Sequence, residues 1–305
     1  MTQGVYITAN DRFLEYAIAF LESLRAVEPD LPVILIPYDE NSGKVGQVLG
    51  DRFGVQIYPD LGVIDQLAQR LHEIFGAGFF ARSNQFRKQA CWFGPFDRFL
   101  YLDIDLIVLQ NLKPFFEALE TTDFICCDYQ HAGGITNVFS PAILDRGVIA
   151  PEEVQSIFNG GLWGSKKGRI TLEDLENCFQ ECAAHPEYFD FSQKTSDQPI
   201  INYLVLTRIP QRRNLATWPQ KGAGSWAGSQ HFVWENDRLM DPKVNQPVPY
   251  LHWAGIRIEP GCPYWDLWEH YRYLQESKPP ISPLAPPPRS RFQRLKSWLK
   301  NKVKT

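Results

Sequence analysis

Asp103 and Asp105 interrupt the run Phe99-Leu-Tyr-Leu-Asp103-Ile-Asp105-Leu-Ile-Val-Leu109, which is otherwise almost wholly apolar. In an extended chain residues i and i+2 point to the same side, so the two carboxylates crowd each other in a largely buried setting. Each costs several kcal/mol to desolvate, and the two repel. A divalent cation relieves both penalties, and hard oxygen ligands suit Mg2+ or Mn2+. A bare Asp-x-Asp is common by chance and most instances sit in surface turns. Here the flanks hold no Gly, Ser or Asn, which disfavours a turn. A metal on two strand-end carboxylates with open positions suits a diphosphate, whose developing charge it stabilises as the diphosphate leaves. That chemistry points to a nucleotide-sugar transferase. The sequence has no Gly-x-x-x-x-Gly-Lys and no Gly-x-Gly-x-x-Gly, which weakens P-loop and dinucleotide readings.

The elements that must hold these carboxylates alternate. Residues 5–8 form a β-branched strand candidate, followed by Phe13, Leu14, Ala17, Ile18, Leu21 and Leu24 at helical spacing. Strands are expected at 33–36, 55–58 and 97–103, with helices at 65–75 and 82–93. This alternation predicts an α/β fold: a mostly parallel mixed central sheet flanked by helices on both faces. Ligands bind such sheets beyond the carboxyl ends of the strands, which singles out residues 8–11 and those after Leu102. Further on, strands are expected at 124–127, 158–164 and 250–253, and helices at 171–184, 197–206 and 265–275. Residues 129–157 are the most idiosyncratic stretch and the expected seat of acceptor choice.

The chain has 305 residues, 44% hydrophobic and 22% charged, which is enough apolar content for one large α/β domain. One domain is expected over residues 1–277, with a nucleotide-binding half (1–110) and an acceptor half (111–277). A Pro-rich linker (278–288) and a basic amphipathic tail (289–305) follow. The tail carries seven Lys/Arg and no acid, leaving 24 of the 31 bases against all 35 acids, a net of −11. Such an acidic body argues against nucleic acid as the main partner. In the tail, Phe292, Leu295, Trp298, Leu299 and Val303 recur at helical spacing among the bases. This pattern fits a helix lying on an anionic membrane surface; a solvated tail or a helix docked on the acidic body are the alternatives. No signal peptide or spanning segment is visible, and the six cysteines form no CxxC, so a cytoplasmic protein with free thiols is expected.

Several short motifs occur in one order across residues 4–260: Thr8-Ala-Asn10-Asp11-Arg-Phe13, Arg87-Lys88, Asp103-Ile-Asp105, Phe158-Asn159-Gly160-Gly161, Asp197-Gln198 and His252-Trp-Ala-Gly255. Together they resemble the metal-dependent GT-A glycosyltransferases, nearest to the retaining family 8 enzymes of the glycogenin and galactinol-synthase-like group. The resemblance implies a single GT-A-type, Rossmann-like domain. It also implies transfer of a hexose from a nucleotide diphosphate sugar, UDP most readily, to a hydroxyl acceptor. By the same resemblance Thr8, Asn10, Asp11 and Phe13 hold the base, with Phe13 stacking on it, and Lys88 contacts the donor. Asn159, Gly160 and Gly161 line the sugar pocket, Asp197 and Gln198 face the donor sugar, and His252 joins Asp103 and Asp105 as third metal ligand, with Gly255 in its motif. Imidazole beside two carboxylates suits Mn2+ better than Ca2+.

The departures are specific. Read on from His252, the family's Lys-Pro-Trp falls at Ile258-Glu259-Pro260, so the diphosphate-contacting lysine is missing and Arg257 or Arg272 are the nearby stand-ins. Gly160 replaces a Ser or Ala, and Phe13 lacks a hydroxyl. Plainer readings stay open: Asp197 as a helix N-cap, Asn159 to Gly161 as a β-bulge, and the Trp-rich second half as core. A nucleotide-sugar or glycan binding module, or a metal-dependent hydrolase of nucleotide diphosphates, are the alternatives to a transferase.

Overall fold

Alternating burial organises the first strand: Val5, Ile7 and Ala9 enter one core with Leu14 and Ala17, and Tyr6 enters another with Trp92 and Phe99. The computed structural model describes residues 1–76, 83–127, 134–190, 197–217 and 221–278. Residues 1–274 form one compact unit, and a second begins at residue 275. The Pro-rich stretch from 279 and the basic tail 289–305 lie outside the described residues, as do Trp218 and part of the 129–157 stretch.

The strands are β1 (Gln3–Ala9), β2 (Val33–Pro37), β3 (Gln56–Ile57), β4 (Arg98–Leu102), β5 (Leu106–Val108), β6 (Phe124–Cys126), β7 (Leu162–Lys166), β8 (Arg212–Asn214), β9 (Val233–Glu235), β10 (Arg238–Asp241), β11 (Gln246–Pro247) and β12 (Tyr250–His252). The helices are α1 (Leu14–Val27), α2 (Gly43–Phe53), α3 (Leu61–Phe75), α4 (Lys113–Thr121), α5 (Ala142–Asp145), α6 (Leu172–Ala184), α7 (Gln198–Arg208) and α8 (Trp265–Arg272). Seven strands form the main sheet in the order β3-β2-β1-β4-β7-β6-β8. β1 pairs in parallel with β2 on one side and β4 on the other, and β7 runs antiparallel to β4 and β6. The strand order therefore reverses at β1, which opens a crevice beyond the carboxyl ends of β1 and β4. β5 leaves this sheet and pairs antiparallel with β12. The five residues of β2 are all buried, as a strand covered on both faces requires.

Three expectations need correction. Residues 83–93 wind as a 3-10 helix rather than an α-helix. Its three-residue repeat stacks Gln85 and Lys88 on the crevice side, while Phe86, Ala90 and Trp92 enter the core. The strand expected at 158–164 begins only at Leu162. Asn202 binds both the amide and the carbonyl of Phe158 (2.9 and 2.7 Å), and Asn159 takes the amide of Gly161 (2.9 Å), so those groups are not free for a ladder. Asp103 to Asp105 is a bend where the chain changes sheet, not an extended strand, and the two side chains are 34% and 31% exposed. Helix α2 was not expected at all. Gly43, Gly46 and Gly50 dilute its pattern, and only Val45 and Leu49 are buried.

Among the described residues no helix is long and apolar enough to cross a membrane. The six cysteines are free thiols, five of them buried. Trp253 and Trp268 are core, whereas Trp234 on β9 is 57% exposed.

Candidate active site

The parallel register of β1 and β4 pairs Tyr6 with Tyr101, so both strands end at the crevice, with Thr8 to Asn10 on one side and Asp103 on the other. The antiparallel register of β5 and β12 pairs Leu106 with His252, which sets His252 beside Asp105. The amide of Trp253 donates to the Asp105 carbonyl (3.0 Å), and that of Asp103 to the Gly161 carbonyl (2.8 Å). Three separate parts of the sequence thus meet. One ligand atom from each of Asp103, Asp105 and His252 lies within 4.8 Å of the other two.

Gly161 is what permits this. A Cβ there would fall 2.2 Å from Cε1 of His252, so the imidazole occupies the space a side chain would take. His252 Nε2 is 3.2 Å from an Asp105 oxygen. Burial pushes the Asp105 carboxyl up, but His252 outweighs it, and the net shift is below the usual carboxylate value.

A cavity of about 280 Å³ opens beside the three residues, lined among others by Thr8, Asn10, Phe13, Lys88, Asp103, Asp105 and Asp197. Lys88 is buried, with Nζ 2.6 Å from Asp197, 4.0 Å from Asp103 and 4.9 Å from the centre of the Tyr101 ring. Burial disfavours its charge, yet the two carboxylates prevail and its pKa is pushed up to about 12. Burial likewise raises the Asp197 carboxyl, and Lys88 offsets only part of that rise. Asp197 stands at the N-cap of α7 but its side chain makes no capping hydrogen bond; it is turned to Lys88 instead. Asn10 donates its amide to Asp39 (2.7 Å), which leaves its carbonyl oxygen facing away from that carboxylate. That oxygen and the Gln85 amide oxygen are buried and have no hydrogen-bond partner among the described residues.

Other expected residues lie outside the cavity lining. Asp11 accepts the amide of Val45 (2.7 Å) and so caps the start of α2. Asn159 is engaged with Gly161, and Gly160 leaves Lys88 Nζ 3.5 Å from where a Cβ would be. Gln198 opens α7, and its carbonyl accepts from Asn202 (2.9 Å). Gly255 takes a left-handed φ of 72° in the turn after β12. The Arg257 side chain is 82% exposed and pairs with Glu259 (3.1 Å). Arg272 is buried on Glu15.

Sequence reasoning missed Tyr16, Tyr38, Gln85 and Tyr101, which also line the cavity. Both lie close in sequence to residues already singled out: Gln85 three residues before Lys88, one turn of the 3-10 helix, and Tyr101 two before Asp103.

No known family profile matches the chain. Protein YfnF of Bacillus subtilis (strain 168), described as uncharacterized, is 23% identical over 266 residues, covering 85% of this chain and 83% of its own. Among solved structures, the galactosyltransferase LgtC in complex with donor and acceptor sugar analogs superposes with a TM-score of 0.61 at 14% identity, covering 91% of this chain and 98% of that one. Mouse xyloside xylosyltransferase 1 gives a TM-score of 0.50 at 17% identity, covering 72% and 87%. With its reversed strand order at β1 and its seven-stranded sheet, the chain has the fold of the GT-A glycosyltransferases.

Proposed function

We propose that this chain is a retaining glycosyltransferase that moves a hexose from a nucleotide diphosphate sugar, UDP-linked, to a hydroxyl acceptor. The convergence of Asp103, Asp105 and His252 beside a cavity lined by Lys88 and Asp197 carries this reading. The fold it shares with LgtC, a galactosyltransferase seen with donor and acceptor analogs, supports the reaction class.

Two carboxylates and one imidazole fit Mn2+ or Mg2+, and the missing Cβ of Gly161 leaves the imaginable obstruction out of the way of His252. Asp103, Asp105 and His252 would hold such an ion, and its positive charge would be available to a departing diphosphate. Lys88 adds a second, permanent positive charge in the same cavity, kept protonated by its two acidic neighbours. Asp197, fixed by Lys88, presents a carboxylate to the donor sugar, with Gln198 following it on α7. Phe13 offers a ring for the base. The free carbonyl oxygens of Asn10 and Gln85 accept hydrogen bonds from ligand N–H or O–H groups. Gly160 and Gly161, next to Lys88 and His252, border the sugar, and Thr8 lines the base end; Asn159, Gly255 and Asp11 act at one remove, in the loops that carry these residues.

The buried free thiols support a reducing, cytoplasmic location, and the basic segment 289–305 is the proposed contact with an anionic membrane surface.

The test is thermal stability with UDP, GDP, CMP and ADP, each with and without Mn2+. A metal-dependent rise with UDP is expected, approaching about 2.7 kcal/mol at 100 times the dissociation constant; transfer from UDP-hexoses follows. No rise with any nucleotide would refute the proposal. A second reading, a nucleotide-sugar binding module with little turnover, is favoured by one observation: Arg257 is exposed and engaged with Glu259 rather than facing the cavity. Donor binding without cleavage across a donor and acceptor panel would select it.

A further inference from the structure

We propose that Tyr101 is a positioning residue for the metal centre, its hydroxyl fixing the carboxylate of Asp103; this rests on reading Asp103, Asp105 and His252 as metal ligands. The Tyr101 hydroxyl donates to Oδ1 of Asp103 at 2.7 Å. Tyr101 lies on β4 and Asp103 just beyond its end, and the hydrogen bond spans that strand-to-bend junction. The ring itself has little freedom. Tyr101 is the direct cross-strand partner of Trp163 on β7, and the two rings stack at 5.5 Å and 26°. Trp163 is in turn stacked on Trp92 (5.0 Å) and Phe124 (5.8 Å), all of them buried. The ammonium of Lys88 lies 4.9 Å from the centre of the Tyr101 ring. An indole and an ammonium therefore set where the phenol oxygen stands.

The consequence is local. Asp103 follows β4 in a bend and its side chain is one-third exposed, so without the Tyr101 donor only the longer 4.0 Å contact with Lys88 restrains its carboxylate. The Tyr101 hydroxyl fixes it before a metal arrives. Partners of this kind typically change metal affinity by about 10- to 100-fold.

Tyr101→Phe deletes one oxygen and keeps the ring on Trp163. Mn2+ affinity of the full chain is measured by titration calorimetry for the native protein, Tyr101→Phe, Asp103→Asn and the double variant, with the metal-free melt recorded for each. The expected result is Mn2+ affinity about 10- to 100-fold weaker in Tyr101→Phe at an unchanged metal-free melt, and a double variant no weaker than Asp103→Asn alone. Native affinity in Tyr101→Phe overturns the inference while leaving the metal site standing, and so does an unfolded variant, which makes the hydroxyl structural. A native chain that binds no Mn2+ overturns the metal reading itself and this inference with it.

Discussion

Lys88 and Asp197 are a buried pair in which each charge is tolerated because of the other. Lys88→Met strands the carboxylate, and a cost of about 3–5 kcal/mol in unfolding free energy is expected. Adding Asp197→Asn should recover most of it without restoring turnover, because the stability loss comes from an unpaired charge and the activity loss from missing chemistry. Denaturant midpoints of the single and double variants decide this; a double variant as unstable as Lys88→Met would be the contrary result. Gly161→Ala tests the packing beside His252. The backbone there is tied to Asp103 and Asn159, so the ring must yield to a Cβ 2.2 Å from Cε1. Mn2+ affinity should fall about 10- to 100-fold, and unchanged affinity in calorimetry would mean that His252 is not a ligand.

At the scale of elements, Asp241 closes β10 and is fully buried. It accepts from the amides of Gly224 (2.9 Å) and Lys243 (3.0 Å) and meets His231 at 3.1 Å. Burial pushes its carboxyl up, but these amides and His231 more than compensate, so it lies below the usual carboxylate value. Its stabilisation is therefore complete above about pH 3.9, the unfolded value, and is lost as pH falls through the lower folded value. Asp241→Asn should cost about 1–3 kcal/mol at neutral pH and flatten the acid limb of stability against pH. An unaltered acid limb would count against the assignment. The elements legible in the sequence were those with strong apolar patterns, β1, β2, β4 and α1; Asp103 and Asp105 stood out as charges in an apolar run, whereas Lys88, Asp197 and His252 were singled out through the resemblance. Helix α2 escaped because its glycines leave one buried pair, and its start is capped from a distance by Asp11. The 3-10 winding of 83–93 has no periodicity that separates it from a short α-helix. Tyr101 has no sequence signal of its own, because a tyrosine in an apolar run fits core stacking as well as hydrogen bonding; the register with Trp163 and the bend after Leu102 show both.

For the whole molecule, the acidic body and the basic 289–305 segment carry opposite charge. Cosedimentation of the full chain with anionic vesicles is expected and should weaken with salt, at about 1 kcal/mol per basic residue near the surface. A chain ended at residue 278 should stay in solution, and equal sedimentation of the two would reject the tail as the contact. A different consequence follows from the pairing of β5 with β12. Asp103 and Asp105 are synthesised early, but their third partner arrives with nearly half the chain still between them. A nascent chain that has completed β1 to β4 has both walls of the crevice, yet His252 reaches Asp105 only once β12 has emerged and paired with β5. If Asp103, Asp105 and His252 hold a metal as proposed, a chain truncated before β12 should bind it more weakly than one that reaches His252.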